Sequence, residues 1–297
     1  MTQHFLRLSD FSPTELHTII QRGIELKQQQ QGNIAHETCK RKTLAMIFEL
    51  SSTRTRVSFE AGMAQLGGHS LFLSPRDTQL GRGEPIGDTA RVLAKMVDIV
   101  MIRAADQGTI DEYARYSSIP VINGMSNELH PCQLLADVMT IIEIHGKIED
   151  LQVAFVGDGY NMCNSFIEAS RVFNFDLRIA TPKGYEPKPQ FLQCATRTQL
   201  VASPNEAVAG ADVVVTDVWS SMGHEDQTER KQAFETFQIS TEVLDRAKPN
   251  VVLLHCLPAH RGEEVDEYVL DDPRSAVWEE SGNRLHAQKA LLEFLLN

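Results

Sequence analysis

The chain has 297 residues, of which 42% are apolar, 23% charged and 7% aromatic, and its formal net charge is −12. This length suits one large domain or two ordinary ones with a substantial core. The negative charge argues against nucleic acid or an anionic membrane as a partner. No apolar run in the sequence approaches the roughly 20 residues that a membrane-spanning helix requires.

The cysteines and the first residues point to a cellular compartment. Five cysteines are scattered along the chain without a C-x-x-C pair: Cys39, Cys132, Cys163, Cys194 and Cys256. This pattern is typical of reduced thiols rather than of a disulfide framework or a zinc site. Met1–Arg7 contains no apolar core of a signal peptide. We therefore expect a cytoplasmic protein without a membrane partner.

The first predicted helix begins at Ser12-Pro13-Thr14-Glu15, which combines an N-cap serine, an N1 proline and an N3 acid. A short apolar run, Thr43–Phe48, then predicts a buried strand. The pattern from Val57 to Leu66 is closer to a helix and is closed by Gly67-Gly68.

Hydroxyl and arginine side chains lie between that strand and that helix, in Ser51-Ser52-Thr53-Arg54-Thr55-Arg56. The free N–H groups and the positive dipole of a helix N-terminus bind anions, and arginine matches phosphate or carboxylate oxygens with two N–H groups at once. Hydroxyl residues also favour N-caps in any helix. An ordinary cap followed by two solvated arginines is therefore the alternative to an anion site.

The next part of the chain continues the alternation of helices and strands. Ser74–Pro85 is a polar loop with two glycines and two prolines, a length that is often functional. The elements predicted after it are a helix over Asp88–Met96, a strand over Ile99–Ile102 that ends at Arg103, a further helix, a strand over Ile119–Ile122 and a helix over Pro131–His145.

A second series of strands and helices starts at Leu151–Val156. Its later strands are predicted over Leu177–Ala180, Val213–Thr216 and Val251–Leu254, and the last helix over Asn283–Leu296. Two successive series predict an α/β protein with two doubly wound parallel-sheet domains joined by interdomain helices. The expected domains are residues 1–130 and 148–282, with a linking helix over 131–147 and residues 283–297 packing back on the first domain.

Polar clusters follow six of the predicted strands. They begin at Ser52, Arg103, His130, Asp158, Asp217 and His255. Ligands of open α/β sheets bind beyond the carboxyl ends of the strands. Six clusters at that edge predict one interdomain cleft.

Several other kinds of site fit the sequence poorly. Gly157-x-Gly159 resembles a dinucleotide fingerprint, but Met162 occupies the third glycine position and Thr181-Pro182 supplies no acidic residue for a ribose. The spacing of His255, Cys256 and His260 matches no closed zinc set. Cys256 as a nucleophile is conceivable, although a cysteine at a strand end is more often simply small and semi-buried.

The combination of motifs resembles the aspartate/ornithine carbamoyltransferase superfamily, and within it the ornithine carbamoyltransferases. The resemblance covers essentially the whole chain and rests on five motifs: Ser52-Thr53-Arg54-Thr55-Arg56, His130-Pro131-Cys132-Gln133, Asp217 with Ser221-Met222-Gly223, His255-Cys256-Leu257-Pro258, and Asn283-Arg284-Leu285-His286. The chain departs from the usual pattern at Tyr160, where an Asn commonly precedes Asn161.

The resemblance implies attack by the δ-amino group of L-ornithine on the carbonyl carbon of carbamoyl phosphate. It implies carbamoyl phosphate binding by these residues: Ser52, Thr53, Arg54, Thr55, Gln79, Arg103, His130, Gln133, Cys256, Leu257 and Arg284. Catalytic roles fall to Arg103, His130, Cys256 and Arg284. For ornithine it implies Asn161, Asp217, Ser221 and Met222.

The resemblance implies no metal and no organic cofactor, because carbamoyl phosphate is already activated. It also implies a homotrimer or a multiple of trimers, in which the loop carrying Gln79 serves a neighbouring subunit. Two alternatives are a carbamoyltransferase for another amine or amino acid, such as putrescine or a modified ornithine, and a non-catalytic anion-binding protein on the same fold.

Overall fold

Two parallel β-sheets, each alternating with helices, organise the chain in the computed structural model, which describes residues 2–74, 83–193, 195–219 and 227–297. Contacts within the chain define two units. The first unit comprises Met1–Met139 with Gly282–Asn297, and the second comprises Thr140–Ser281. The predicted class, two parallel-sheet α/β domains, is confirmed. The predicted domain limits at residues 130, 147 and 282 remain predictions.

The first unit contains a four-stranded sheet in the order β2-β1-β3-β4, and every pair in it is parallel. Its strands are β1 (Thr43–Phe48), β2 (His69–Leu73), β3 (Ile99–Arg103) and β4 (Val121–Met125). Its helices are α1 (Pro13–Gln31), α2 (Thr53–Gln65), α3 (Ile86–Leu93) and α4 (Gln107–Tyr116), joined by the start of α5 (Pro131–His145) and the end of α11 (Val277–Leu296). The strand order reverses between β1 and β3, which is where such sheets bind ligands.

The second unit contains a five-stranded parallel sheet in the order β7-β6-β5-β8-β9. Its strands are β5 (Gln152–Val156), β6 (Asp176–Ala180), β7 (Thr198–Val201), β8 (Val213–Thr216) and β9 (Val252–His255). Its helices are α6 (Asn161–Phe173), α7 (Pro189–Leu192), α8 (Pro204–Val208), α9 (Gln227–Phe234) and α10 (Thr241–Leu244). Here the order reverses between β5 and β8.

The central strands are buried along almost their whole length, which is why they read as continuous apolar runs in the sequence. Successive residues of β1 from Leu44 to Phe48 are all buried, and β8 is buried throughout. Helices that cover both faces of a parallel sheet remove the usual alternation of apolar and polar residues. Burial of these strands holds them in place, and with them the polar residues that follow their ends.

Two strands and several boundaries differ from the sequence-based prediction. The unpredicted strands β2 and β7 lie at sheet edges, and their residues are exposed or half-buried, so neither shows the long apolar run of a buried strand; the longest is Leu71-Phe72-Leu73 in β2. The last helix begins at Val277 rather than Asn283 and passes through Gly282, a residue that weakens a helix by about 1 kcal/mol without ending it. Strand β4 runs to Met125, beyond the predicted end at Ile122. Of the helices in the described ranges, none is both long and apolar enough to cross a membrane.

Candidate active site

The predicted anion site lies at the start of α2. Ser52 is the N-cap residue, and its side chain accepts a hydrogen bond from the Thr55 backbone N–H at 3.3 Å. Thr53 is exposed, Arg54 is half-buried and Thr55 is buried. The first backbone N–H groups of a helix have no partner within the helix. This turn therefore presents amides, hydroxyls and a guanidinium at one place, as the sequence indicated.

Strand register brings Arg103 and His130 to the same edge of the sheet. Phe48 at the end of β1 pairs with Arg103, and Arg103 pairs with Met125 at the end of β4. The Glu49 backbone N–H also donates to the Arg103 carbonyl oxygen at 2.9 Å. Parallel strands end at one edge, so residues that follow β1, β3 and β4 in the sequence become neighbours.

His130 is buried in a positively charged environment. Burial lowers the pKa of His130 well below 6.5, and the positive charges of Arg284, Arg103 and Arg54 lower it further. The ring is therefore neutral at pH 7, and a neutral imidazole still carries one N–H donor. Three guanidinium groups close enough to act on one buried ring make this end of the unit suited to an anion.

Arg284 of α11 joins two segments that are far apart in the sequence. Its Nη2 donates to Thr55 Oγ1 at 3.2 Å, and its Nη1 donates to Gln133 Oε1. Gln133 Nε2 in turn donates to Asp137 Oδ1 at 2.8 Å. All four side chains are buried. The structure thus connects the Ser52–Arg56 motif, the His130–Gln133 motif and the C-terminal helix within the first unit.

In the second unit, strand register places Asp217 and Cys256 side by side. Val156 pairs with Thr216, and Thr216 pairs with His255. Cys256 Sγ donates to Asp217 Oδ1 at 3.1 Å. Burial raises the pKa of the Asp217 carboxyl, and His255 and the Cys256 hydrogen bond oppose that rise. A buried carboxylate with a raised pKa is stabilised by a cationic ligand.

Asn161 begins α6, directly after β5, and is buried, with its Oδ1 accepting from the Met162 backbone N–H at 2.8 Å. The two glycines before it have structural roles. Gly157 has a φ of +144°, which residues with a side chain rarely adopt, and a Cβ atom on Gly159 would lie 2.3 Å from the Pro187 nitrogen. Backbone conformation at Gly157 and tight packing at Gly159 therefore account for Gly157-x-Gly159 without a nucleotide.

His255 and Glu264 shape the turn that carries Cys256 and Leu257, a role that sequence reasoning did not identify. His255 Nδ1 accepts from the Leu257 backbone N–H at 2.8 Å, so Nε2 holds the proton and faces Glu264 Oε1 at 3.3 Å. Leu257 has a φ of +55°, and a cis peptide bond precedes Pro258. A bulky residue at positive φ costs about 1–3 kcal/mol and often marks a functional turn.

The same hydrogen bonds weigh against a metal ion beside Cys256. Ligand atoms of Asp217, His255 and Cys256 lie within 4.8 Å of one another. Both ring nitrogens of His255, however, are engaged by the Leu257 N–H and by Glu264. A histidine ligand needs one nitrogen for the metal.

The predicted site residues thus fall into two groups and a remainder. The first unit holds Ser52, Thr53, Arg54, Thr55, Arg103, His130, Gln133 and Arg284, and the second holds Asn161, Asp217, Cys256 and Leu257. Gln79, Ser221 and Met222 lie outside the described residues. The first group can bind an anion that carries a carbonyl, and the second can bind an ammonium group.

Comparison with known proteins gives matches over both units. Residues 3–143 match the aspartate/ornithine carbamoyltransferase carbamoyl-P binding domain, and residues 149–295 match the Asp/Orn binding domain of the same family. The anabolic ornithine carbamoyltransferase of Pseudomonas aeruginosa is 56% identical over 296 residues, 99% of this chain and 97% of the relative.

Solved structures agree with these matches. The ornithine carbamoyltransferase from Pyrococcus furiosus superposes with a TM-score of 0.94 at 46% identity, covering 98% of this chain and 96% of that chain. The enzyme of the same name from Burkholderia thailandensis gives a TM-score of 0.93 at 47% identity, covering 99% and 98%.

Proposed function

The chain belongs to the aspartate/ornithine carbamoyltransferase family, and we propose that it transfers the carbamoyl group of carbamoyl phosphate to the δ-amino group of L-ornithine, giving L-citrulline and phosphate. The observation that supports this assignment best is the buried, neutral His130 before α5, whose pKa is lowered by burial and by the positive charges of Arg284, Arg103 and Arg54. A scaffold or a general binding protein has no need of that arrangement.

Carbamoyl phosphate binds in the first unit. The phosphate lies at the N-terminus of α2, where Ser52, Thr53, Arg54 and Thr55 supply backbone amides, hydroxyls and a bidentate guanidinium. Gln133 holds the carbamoyl amino group, and Arg284 orients both Gln133 and Thr55 from α11. The resemblance adds Gln79 of a neighbouring subunit to this site.

Arg103, His130 and Thr55 direct donors at the carbonyl oxygen. That oxygen becomes negative as the tetrahedral intermediate forms, and each donor in such a position contributes about 10²–10³ in rate. A neutral His130 suits this role, because its ring donates one N–H without needing to be protonated.

Ornithine binds in the second unit. Asp217 faces the α-ammonium group, Asn161 with Ser221 and Met222 holds the amino-acid end, and Cys256 and Leu257 contact the reacting end. Burial raises the pKa of the Asp217 carboxyl and so disfavours its charged form. The ammonium group of ornithine would stabilise the charged carboxylate.

The reaction balances without a side-chain base. The neutral δ-amine forms the new C–N bond, the bond between the carbonyl carbon and the phosphate oxygen breaks, and the departing phosphate takes the proton that the amine loses. Catalysis then rests on positioning and on stabilisation of the oxyanion.

The test is product formation from carbamoyl phosphate across a panel of acceptors: L-ornithine, N-acetylornithine, putrescine and L-aspartate. We expect a kcat/KM for ornithine at least about a hundredfold above the others, since the charged head group must pair with Asp217. A preference for putrescine or a modified ornithine would reassign the acceptor. Phosphate binding without any carbamoyl transfer would identify a non-catalytic anion-binding protein.

We further infer a homotrimer, or a multiple of trimers, acting in the cytoplasm in the citrulline-forming direction. The direction follows from the Pseudomonas aeruginosa relative, whose name describes it as anabolic. The compartment is supported by scattered cysteines without a C-x-x-C pair. Sedimentation velocity would test the assembly, and a single species of monomer mass would contradict it.

A further inference from the structure

Gln288 is a fully buried amide on α11, one helical turn beyond Arg284. Residues four apart on a helix share a face, so the Gln288 side chain lies against the Arg284 guanidinium. Burying an amide is unfavourable unless its oxygen and its NH₂ group both find partners. The question is which groups Gln288 satisfies.

The amide has one orientation in which both ends are matched. In that orientation, Gln288 Oε1 accepts from Arg284 Nε at 2.9 Å and from Arg284 Nη2 at 3.1 Å, while Nε2 donates to Ser58 Oγ. The reverse orientation sets the NH₂ group against guanidinium donors. Donor and acceptor chemistry therefore selects the first orientation.

Ser58 carries the connection into the first turn of α2. Its hydroxyl donates to the Arg54 carbonyl oxygen at 2.7 Å and to the Thr55 carbonyl oxygen at 3.1 Å. Gln288 therefore contacts Arg284, which orients Thr55 and Gln133. It also contacts Ser58, whose hydroxyl bonds to the Arg54 carbonyl oxygen.

We propose that Gln288 is a positioning residue for carbamoyl phosphate, holding the Arg284 guanidinium and the first turn of α2 in the relative geometry that binds the phosphate. The inference rests on the proposed function for its substrate. The positioning role itself applies to any phosphate group that binds at the start of α2, inorganic phosphate included.

The direction of the guanidinium explains why this contact affects binding. Nε and Nη2 form one edge of the planar group, and Gln288 Oε1 accepts from both. The plane is thereby fixed, and Nη1 is aimed at Gln133 Oε1 while Nη2 also reaches Thr55 Oγ1. Without the amide oxygen, rotation of the guanidinium about its stem would misdirect the donors to Thr55 and Gln133. Precise placement of such groups strongly affects binding and rate.

The main test compares Gln288→Met with the unchanged enzyme. Met keeps the length and apolar stem of Gln and removes both hydrogen-bonding ends. Loss of these three buried hydrogen bonds at the site should weaken inorganic phosphate binding, measured by calorimetry, and raise KM for carbamoyl phosphate, each by about tenfold or more. KM for ornithine at saturating carbamoyl phosphate should change less than about twofold.

Gln65→Met is the matched control. Gln65 is the last residue of α2, and its Oε1 accepts from Lys289 Nζ of α11 at 3.0 Å. This variant removes an amide contact between the same two helices at the end of α2 away from the phosphate. It should lower the thermal midpoint while phosphate binding stays within about twofold of the unchanged enzyme.

Ser58→Ala distinguishes positioning from general loss of packing and remains informative if Gln288→Met fails to fold. It removes the hydroxyl that links Gln288 to the Arg54 and Thr55 carbonyl oxygens, and it should weaken phosphate binding by about threefold. The double variant should be weaker than the unchanged enzyme by clearly less than the product of the two single effects, since both act through one connection.

The outcomes separate this inference from the proposed function. Phosphate affinity unaltered in Gln288→Met, or equally reduced in Gln65→Met, would overturn the positioning role. If Gln288→Met does not fold, unaltered phosphate affinity in Ser58→Ala would overturn it. If the unchanged chain binds phosphate but makes no citrulline, the proposed function is wrong. The phosphate affinities of Gln288→Met and Gln65→Met then still decide the role of Gln288.

Discussion

Arg54 and Arg56 lie two residues apart on α2 in different surroundings, which makes them a matched pair. Arg54 is close enough to affect the pKa of His130, whereas exposed Arg56 pairs with Glu60 at 3.1 Å and lies over the Phe72 ring. Arg54→Lys and Arg54→Ala should each lower kcat/KM for carbamoyl phosphate by about a hundredfold or more, since an ammonium cannot bind phosphate bidentately.

Arg56→Lys is the control for this prediction. An exposed ion pair contributes less than about 1 kcal/mol, so this variant should retain kcat/KM within about threefold. Thermal midpoints of all three variants should stay within a few degrees of the parent. Normal kcat/KM in Arg54→Lys would contradict the bidentate assignment.

We expect Cys256 to assist through its hydrogen bond to Asp217 and to form no covalent intermediate. Its Sγ donates to Asp217 Oδ1 at 3.1 Å, and both nitrogens of the neighbouring His255 have other partners. Cys256→Ser keeps a donor and should remain active, while Cys256→Ala should raise KM for ornithine by about tenfold, the cost of one hydrogen bond to a charged group. Intact-mass spectra during turnover should show no carbamoylated enzyme; an adduct on Cys256 would contradict the prediction.

Lys289 should make the free energy of unfolding depend on pH in the alkaline range. It is fully buried on α11, where Nζ donates to Gln30 Oε1 at 3.2 Å and to Gln65 Oε1 at 3.0 Å. Burial lowers the pKa of Lys289 to about 8; Glu293 opposes this shift and Arg22 adds to it. Between pH 8 and 10.5 the unfolded chain binds more protons than the folded one, so this lysine adds stability as pH rises through that window.

The measurement is urea unfolding of the parent and of Lys289→Met at pH 8 and pH 10. The parent should gain about 2 kcal/mol relative to the variant between these two values. Comparing the two proteins cancels groups that titrate in both. A constant difference in the free energy of unfolding would show that the pKa of Lys289 is not depressed.

What the sequence reveals about single residues depends on how local their contacts are. Ser12 and Glu15 form the predicted capping box, and Ser52 caps α2, because both contacts lie within one turn. The contact between Arg284 and Thr55 spans 229 positions, and no spacing rule predicts it. The roles of Gln288 and of His255 with Glu264 were hidden for the same reason, since each depends on packing of distant segments.

At the scale of elements, the turn after β9 depends on one buried carboxylate. Glu264 Oε1 faces His255 Nε2 at 3.3 Å and accepts from the His260 backbone N–H at 2.5 Å. Glu264→Leu removes the acceptor of both hydrogen bonds and should raise KM for ornithine by about tenfold or more through misplacement of Cys256 and Leu257. KM for carbamoyl phosphate in the first unit should change far less.

Glu264→Gln is the conservative control, because an amide oxygen can still accept from His255. It should retain most of the affinity for ornithine. If Glu264→Leu and Glu264→Gln lose the same stability but neither alters either KM, the carboxylate serves only the fold and not the turn.

Buried elements could be predicted from the sequence, whereas exposed ones could not. The interior strands show apolar runs in the sequence. The positions where these predicted strands end indicated where the polar clusters lie. Strands β2 and β7 show no such run, because their residues are exposed or half-buried. Strands β4 and β9 also lie at sheet edges, but they are almost wholly buried and were predicted. β2 forms by pairing with β1, and β7 forms by pairing with β6. These pairings are visible only in the folded structure.

At the scale of the whole molecule, the proposed trimer predicts complementation between two inactive variants. In the family that the sequence resembles, the loop carrying Gln79 reaches the carbamoyl phosphate site of a neighbour. Arg54→Ala and Gln79→Ala should therefore each be poorly active alone. When they are mixed, dissociated and reassembled, a site is whole if it keeps its own Arg54 and receives Gln79 from an Arg54→Ala subunit. Random pairing in a ring makes about a quarter of sites whole.

Activity should accordingly rise well above that of either parent after exchange. Mixing the two variants without dissociation is the control and should give no increase. Subunit exchange confirmed by mass labels, with no recovery of activity, would place Gln79 in the site of its own chain or in none.

The composition of the first unit has a consequence for the order in which a ribosome makes this protein. The second unit is one continuous stretch, Thr140–Ser281, but the first needs Gly282–Asn297 in addition to Met1–Met139. Arg284, Gln288 and Lys289 all belong to that last segment. Synthesis of the second unit is therefore complete while α2 still lacks its partners on α11. The proposed phosphate site needs residues of Gly282–Asn297, so ribosome-bound chains that end before Gly282 should fail to bind phosphate.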